Sequence, residues 1–140
     1  MRKLFIAGAV LVAAATAAVG VGTVQAETTR ADKPIVIDVR GPGGAVAGKV
    51  VFNADPGGGG PGDAIRACDS GGDGWGVTAY LDYKGGDGAD RTISTAGHNS
   101  PICTGWGEGN IKEGTKVSLW ACLVKGSGAD YCTNRVSGRA

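Results

Sequence analysis

Glycine stands at 27 of the 140 positions, and this narrows what the chain can fold into more than any other feature. Each glycine widens the set of backbone states that ordering must remove, and in a helix interior it costs about 1 kcal/mol relative to alanine. The glycines gather with proline and aspartate at Gly41-Pro42-Gly43-Gly44, across 55–62, across 85–88 and at Gly126-Ser127-Gly128. Between these clusters lie short runs rich in β-branched and aromatic residues. Turn chemistry alternating with such runs predicts an all-β chain, and no stretch carries the 3.6-residue period of an amphipathic helix.

The runs predict strands at 34–40, 45–53, 64–68, 75–83, 91–95, 115–124 and 131–136. The clearest alternation, over 75–83, puts Trp75, Val77, Ala79, Leu81 and Tyr83 on a core face and Thr78, Tyr80 and Asp82 on the opposite one. Over 115–124 the core face takes Val117, Leu119, Ala121 and Leu123, and the outer face takes Ser118, Trp120, Cys122 and Val124. The run 55–62 reads as a mobile connecting loop.

The first 26 residues read as an export signal. Arg2 and Lys3 precede an apolar run from Leu4 to about Val21, and Val24-Gln25-Ala26 forms a small-x-small cleavage site before Glu27. A retained membrane anchor is the competing reading, disfavoured by Gly8, Gly20 and Gly22 in the run. Cleavage after Ala26 removes Arg2 and Lys3 and moves the formal net charge from +1 to −1. A chain so near neutrality, with its charges scattered singly, lacks the basic stripe that nucleic acid or an anionic membrane surface requires. Residues 27–140 are then one secreted domain, expected as a monomer.

A glycine-rich domain of this size gains from cross-links. Cys68, Cys103, Cys122 and Cys132 all lie in the exported part, and an even count in an oxidising compartment reads as two disulfides. If 126–128 form the turn of a hairpin, Lys125 faces Ala129 and Cys122 faces Cys132, which pairs these two and leaves Cys68 with Cys103. With no CxxC spacing and a single histidine, neither zinc nor a cofactor is expected.

The segment Ile111-Lys112-Glu113-Gly114-Thr115-Lys116-Val117-Ser118-Leu119-Trp120-Ala121 resembles the E–F corner and F strand of fibronectin type III domains. There a leucine, a Pro-Gly-Thr turn and an alternating Tyr-x-Val-x-Val run hold these places; here Glu113 replaces the proline and Val117 the tyrosine. The run 75–83 sits where a C strand would. The resemblance implies a single antiparallel β-sandwich of the immunoglobulin/fibronectin III kind, with seven strands in two sheets, and it implies no function. The exported part also resembles small four-cysteine secreted proteins of actinobacteria. In size, export, sandwich fold and bridge count it is similar to actinobacterial apo-chromoproteins, although their bridges close shorter loops.

Candidate chemistry is sparse. His98 lies in Ala96-Gly97-His98-Asn99-Ser100-Pro101 without a GxSxG elbow, so no catalytic residue is assigned. Asp69, Asp73, Asp82, Asp87 and Asp90 sit among glycines in two loops. Their spacing does not follow the EF-hand order, and turn formation accounts for them. Tyr80 and Trp120 point outward from strands expected to be neighbours, and Trp106 lies in a loop with no local side chain to bury it. Flat rings on a rigid face suit a sugar or a partner's apolar side chain.

These observations favour a secreted, non-enzymatic binding module that takes an extracellular carbohydrate or protein through Tyr80, Trp106 and Trp120. A small-molecule carrier of the apo-chromoprotein type needs a deep cleft, an enzyme inhibitor needs a rigid exposed loop, and a hydrolase needs His98 beside an acid and a nucleophile. The protein recovered from culture supernatant is expected to begin at Glu27 and to carry no free thiol. Intact-mass measurement with thiol labelling checks both, and retention of residues 1–26 or labelling of the folded protein contradicts the reading.

Overall fold

The computed structural model of the protein describes residues 33–57 and 59–140; the expected export signal lies outside them. Among the described residues nine strands follow one another as β1 (Ile35–Arg40), β2 (Val46–Asn53), β3 (Ala64–Asp69), β4 (Gly76–Asp82), β5 (Arg91–Ser94), β6 (Ile102–Cys103), β7 (Lys116–Lys125), β8 (Gly128–Asp130) and β9 (Val136–Arg139). They form two sheets, in the orders β1-β2-β3-β6 and β5-β4-β7-β8, with β9 also paired to β7. Every pairing is antiparallel. No helix among the described residues is long and apolar enough to cross a membrane.

The alternation dictates the core. Val50 and Phe52 of β2 and Ile65 and Ala67 of β3 meet Val77, Ala79 and Leu81 of β4 and Val117, Leu119, Ala121 and Leu123 of β7, each at most 1% exposed. Trp75 and Tyr83, at the two ends of the β4 run, are partly buried against the same cluster. With few large side chains, the interior closes by near approach of backbone. A Cβ at Gly48 would stand 2.3 Å from the Cys68 carbonyl oxygen and 2.6 Å from Val77 Cγ2. Glycine here is thus a packing residue as well as a turn former.

The Cys68–Cys103 and Cys122–Cys132 bridges are both formed, and no described cysteine is free. Cys103 comes from β6, a two-residue strand absent from the sequence reading, which pairs Cys68 directly opposite Cys103. Two residues carry too little pattern to be seen. The second bridge rests on a register different from the one expected. Lys125 faces Gly128, not Ala129, because the turn is Gly126-Ser127 with Gly126 at φ +60°. The ladder runs to Leu123 opposite Asp130, where Tyr131 at φ +49° breaks it and absorbs the residue that would otherwise set Cys132 out of step. Residues 131–135 are therefore not the closing strand that their composition suggested. Thr133 re-anchors the chain, its amide donating to the Ala121 carbonyl and its hydroxyl accepting from the Ala121 amide, before β9 pairs with β7.

The described residues of the glycine–proline run after β2 are tied back to the end of that strand. The Asn53 side-chain amide, on a residue 4% exposed, donates to the carbonyls of Gly57, Gly60 and Pro61, and Asp63 N–H closes the loop on Ala54 O. At the far side of the same sheet β1 pairs only with β2 among the described strands, and its outer face carries the exposed Val36, Asp38 and Arg40.

Two glycine substitutions separate packing from turn formation. Gly48→Ala is expected to destabilise by about 3 kcal/mol, since β-sheet backbone must move to admit one methyl group. Gly43→Ala, where a new Cβ meets nothing within 4 Å, should stay within about 0.5 kcal/mol of the parent. Denaturant melts of the two variants check the contrast, and equal midpoints contradict it.

Candidate functional site

Pairing of β4 with β7 sets Tyr80 directly opposite Trp120 on the face away from the core. Their rings stack with centroids 5.3 Å apart and planes 11° from parallel. Both are half-buried rather than open, because the Cys122–Cys132 bridge draws residues 131–135 toward this face. Arg135 brings its guanidinium to 3.9 Å from the Trp120 ring centroid. It also donates to the Asp87 carbonyl at 2.6 Å and lies 3.5 Å from Asp82 Oδ2. Thr78, Asp82 and Cys122, expected to face solvent, are buried as a result of this cover and of the Thr78–Ser94 hydroxyl bond.

Trp106 does not join this pair. It follows β6 beside β3, where Gly107 exchanges two backbone hydrogen bonds with Ile65. Its indole lies on Gly60, so close that a Cβ there would stand 2.3 Å from Cζ2, and the Arg66 guanidinium sits 5.6 Å over the ring. The held loop is the seat of this ring, a long-range contact invisible in the local sequence.

A second aromatic group went unnoticed in the sequence because Trp75 reads as a core residue. It meets Tyr131 edge-on, centroids 5.7 Å apart, with Lys125 Nζ 5.4 Å from its ring. Beside it opens a cleft of about 910 Å³ that reaches His98, Asn99 and Ser100. The signal available was an aromatic at a strand start between two glycines. His98 does not meet a nucleophile there: the Ser100 hydroxyl donates to Asp69 Oδ2, and Asp69 Oδ1 accepts the Gly71 amide.

Four of the five loop aspartates, Asp69, Asp73, Asp82 and Asp90, accept from backbone amides. Asp73 accepts from Trp75, Asp82 from Gly85, and one oxygen of Asp90 from both Tyr83 and Lys84 at 2.8 Å. Among the described residues no group of three or more histidine, cysteine or acidic side chains could hold a metal ion. The Tyr83 amide, followed by the Lys84 amide and ammonium, holds the Asp90 carboxyl below its ordinary value of 3.8 despite some opposing desolvation. No protein-family model matches this chain, and neither a curated protein nor a solved structure matches it.

A lowered pKa in the folded state contributes stability that is present above the ordinary value and lost as pH falls through the lowered one. Asp90→Asn should therefore melt below the parent at neutral pH, and the gap should close on acidification below 3.8. Thermal melts across this range check it, and a gap independent of pH would assign the effect to something other than the charge.

Proposed function

We propose that this protein is a secreted, non-enzymatic interaction module, an immunoglobulin/fibronectin III-like sandwich whose contact surface is the face around Tyr80, Trp120 and Arg135. The single observation that carries this reading is the stack itself: a half-exposed tyrosine, tryptophan and arginine adjacent on one rigid sheet. These residue types dominate binding energy at protein interfaces, and a sheet ladder holds them at little further entropic cost. A protein partner suits this face better than a carbohydrate, because Arg135 already covers part of the stacking surface. Two disulfides agree with an oxidising, extracellular setting.

The strand order β5-β4-β7-β8 follows the C′-C-F-G order of such sandwiches, which supports the likeness. Further support comes from the turn before β7, where the Thr115 amide donates to Lys112 O and Gly114 takes φ +76°. The other sheet is a variation, since β2 hairpins directly into β3 where the B strand of the immunoglobulin scheme neighbours E.

The test uses the purified secreted protein, with a photo-cross-linker at Thr92, which faces Tyr80 across the ladder, and at Asp38 on the opposite sheet as control. A partner from the culture supernatant should be captured at position 92 and not at 38. Trp120→Ala should weaken its binding by about 2 kcal/mol or more. Because the ring also stacks on Tyr80, stability should fall by about 1 kcal/mol, far less than the ~3–5 kcal/mol of a fully buried tryptophan. Unchanged binding by folded Trp120→Ala overturns the assignment.

A further inference from the structure

We propose that the cleft beside Trp75 and His98 is a binding site for an acidic saccharide. It shares no residue with the Tyr80–Trp120–Arg135 face and stands independently of the function proposed there. It opens where the chain segments 72–76, 96–100 and 124–126 come together. At about 910 Å³ it falls inside the ~300–1,000 Å³ range of small-ligand sites.

The polar groups of this cleft divide into those already used and those left over. Ser100 is engaged by Asp69. Lys125 rests against the Trp75 ring and, among the described residues, has no carboxylate within 4.0 Å. His98 and Asn99 are exposed, and their side chains form no hydrogen bond to the described residues. No aspartate or glutamate lines the cleft. Three donor-bearing side chains thus line the cleft without internal hydrogen bonds, one of them a cation, while the two carboxylates nearest it, Asp69 and Asp73, are engaged by the Ser100 hydroxyl and by the Gly71 and Trp75 amides. An anionic ligand gives the Lys125 ammonium an ion pair as well as a charge-assisted hydrogen bond, a stronger contact than a neutral hydroxyl offers.

The remainder of the lining selects a polyhydroxylated ligand over a flat apolar acid. Gly74, Gly97 and Gly126 all take positive φ (+78°, +83° and +60°), so backbone without Cβ atoms forms much of the wall and suits hydroxyl groups. Side-chain apolar surface is limited to Trp75, Val124 and Ala96, whereas sites for drug-like aromatic molecules are lined mainly by apolar side chains. One indole offers a platform for the C–H face of a single sugar ring.

The loops are held before any ligand arrives. Asp73 Oδ1 accepts the Trp75 amide at 3.0 Å, and Thr95, 1% exposed, accepts the Val77 amide through its hydroxyl at 2.8 Å. The Thr95 carbonyl in turn accepts the His98 amide at 3.1 Å, and the Tyr131 ring fixes the indole edge. Binding then costs little loop ordering.

The experiment titrates the mature protein, labelled with ¹⁵N, with trigalacturonate and with its neutral counterpart galactotriose, following backbone amide shifts. Saturable shifts with trigalacturonate are expected at Gly97, His98 and Gly126, with galactotriose about tenfold weaker. Lys125→Met, at an exposed position, should keep the dispersed spectrum of the folded protein and reduce trigalacturonate to the affinity of the neutral trimer. His98→Ala combined with Asn99→Ala should weaken both. Absence of saturable shifts, equal affinity for the two trimers, shifts confined to other loops, or a Lys125→Met protein that binds trigalacturonate as the parent does would each overturn the proposal.

Discussion

Everything in this molecule hangs from the ladder between β4 and β7. It runs without interruption from Gly76 opposite Val124 to Asp82 opposite Ser118, and it assigns each residue of both strands to one side of the sheet. On the inner side it delivers Val77, Ala79, Leu81, Leu119, Ala121 and Leu123 to a closed interior. On the outer side the same register makes Tyr80 and Trp120 neighbours, and at its end it brings Trp75 and Lys125 together. A slip of one residue would exchange the two sides, sending rings into the core and alanines to water. The hydrophobic pattern and both surface features are therefore specified by one constraint.

The cysteines act on this frame from the outside. Cys103 ties the β6 segment to the edge of β3, and Cys132 ties the chain after Tyr131 to the outer face of β7. The second tie explains why Arg135 arrives over Trp120, and why a face that alternation alone leaves open is half closed. Arg135 also links β9 to the loop after β4 through Asp82 and Asp87, a tertiary contact in a protein with few large apolar side chains to spare.

How much of this was legible depends on range. The alternations at 75–83 and 115–124 read correctly as paired strands with the right core faces, because period two is a local property that burial reinforces. The turn clusters likewise announced the ends of β1, β2 and β7. What escaped needed distant partners. Trp106 found Gly60, and β6 found β3, across stretches with no periodic signal. The hairpin register missed by one because a left-handed tyrosine is not a residue from which a bulge would be inferred. Tyr80 and Trp120 came together as expected, Trp106 stayed apart, and the Trp75 cleft was hidden by a residue serving both core and wall.

The edge of β1, which pairs with no other described strand but β2, sets a condition on life at high concentration. Among the described residues the six-residue run Ile35-Val36-Ile37-Asp38-Val39-Arg40 is paired on one side only, with Val36 58% exposed, and such an edge is where a further strand can add. Two features oppose this: Pro34 at the approach to the strand, and the exposed charges of Asp38 and Arg40, which any added strand would have to accommodate. Along this border the charges of Asp38 and Arg40 oppose the addition of a strand, and a change of either to valine would make it more adhesive.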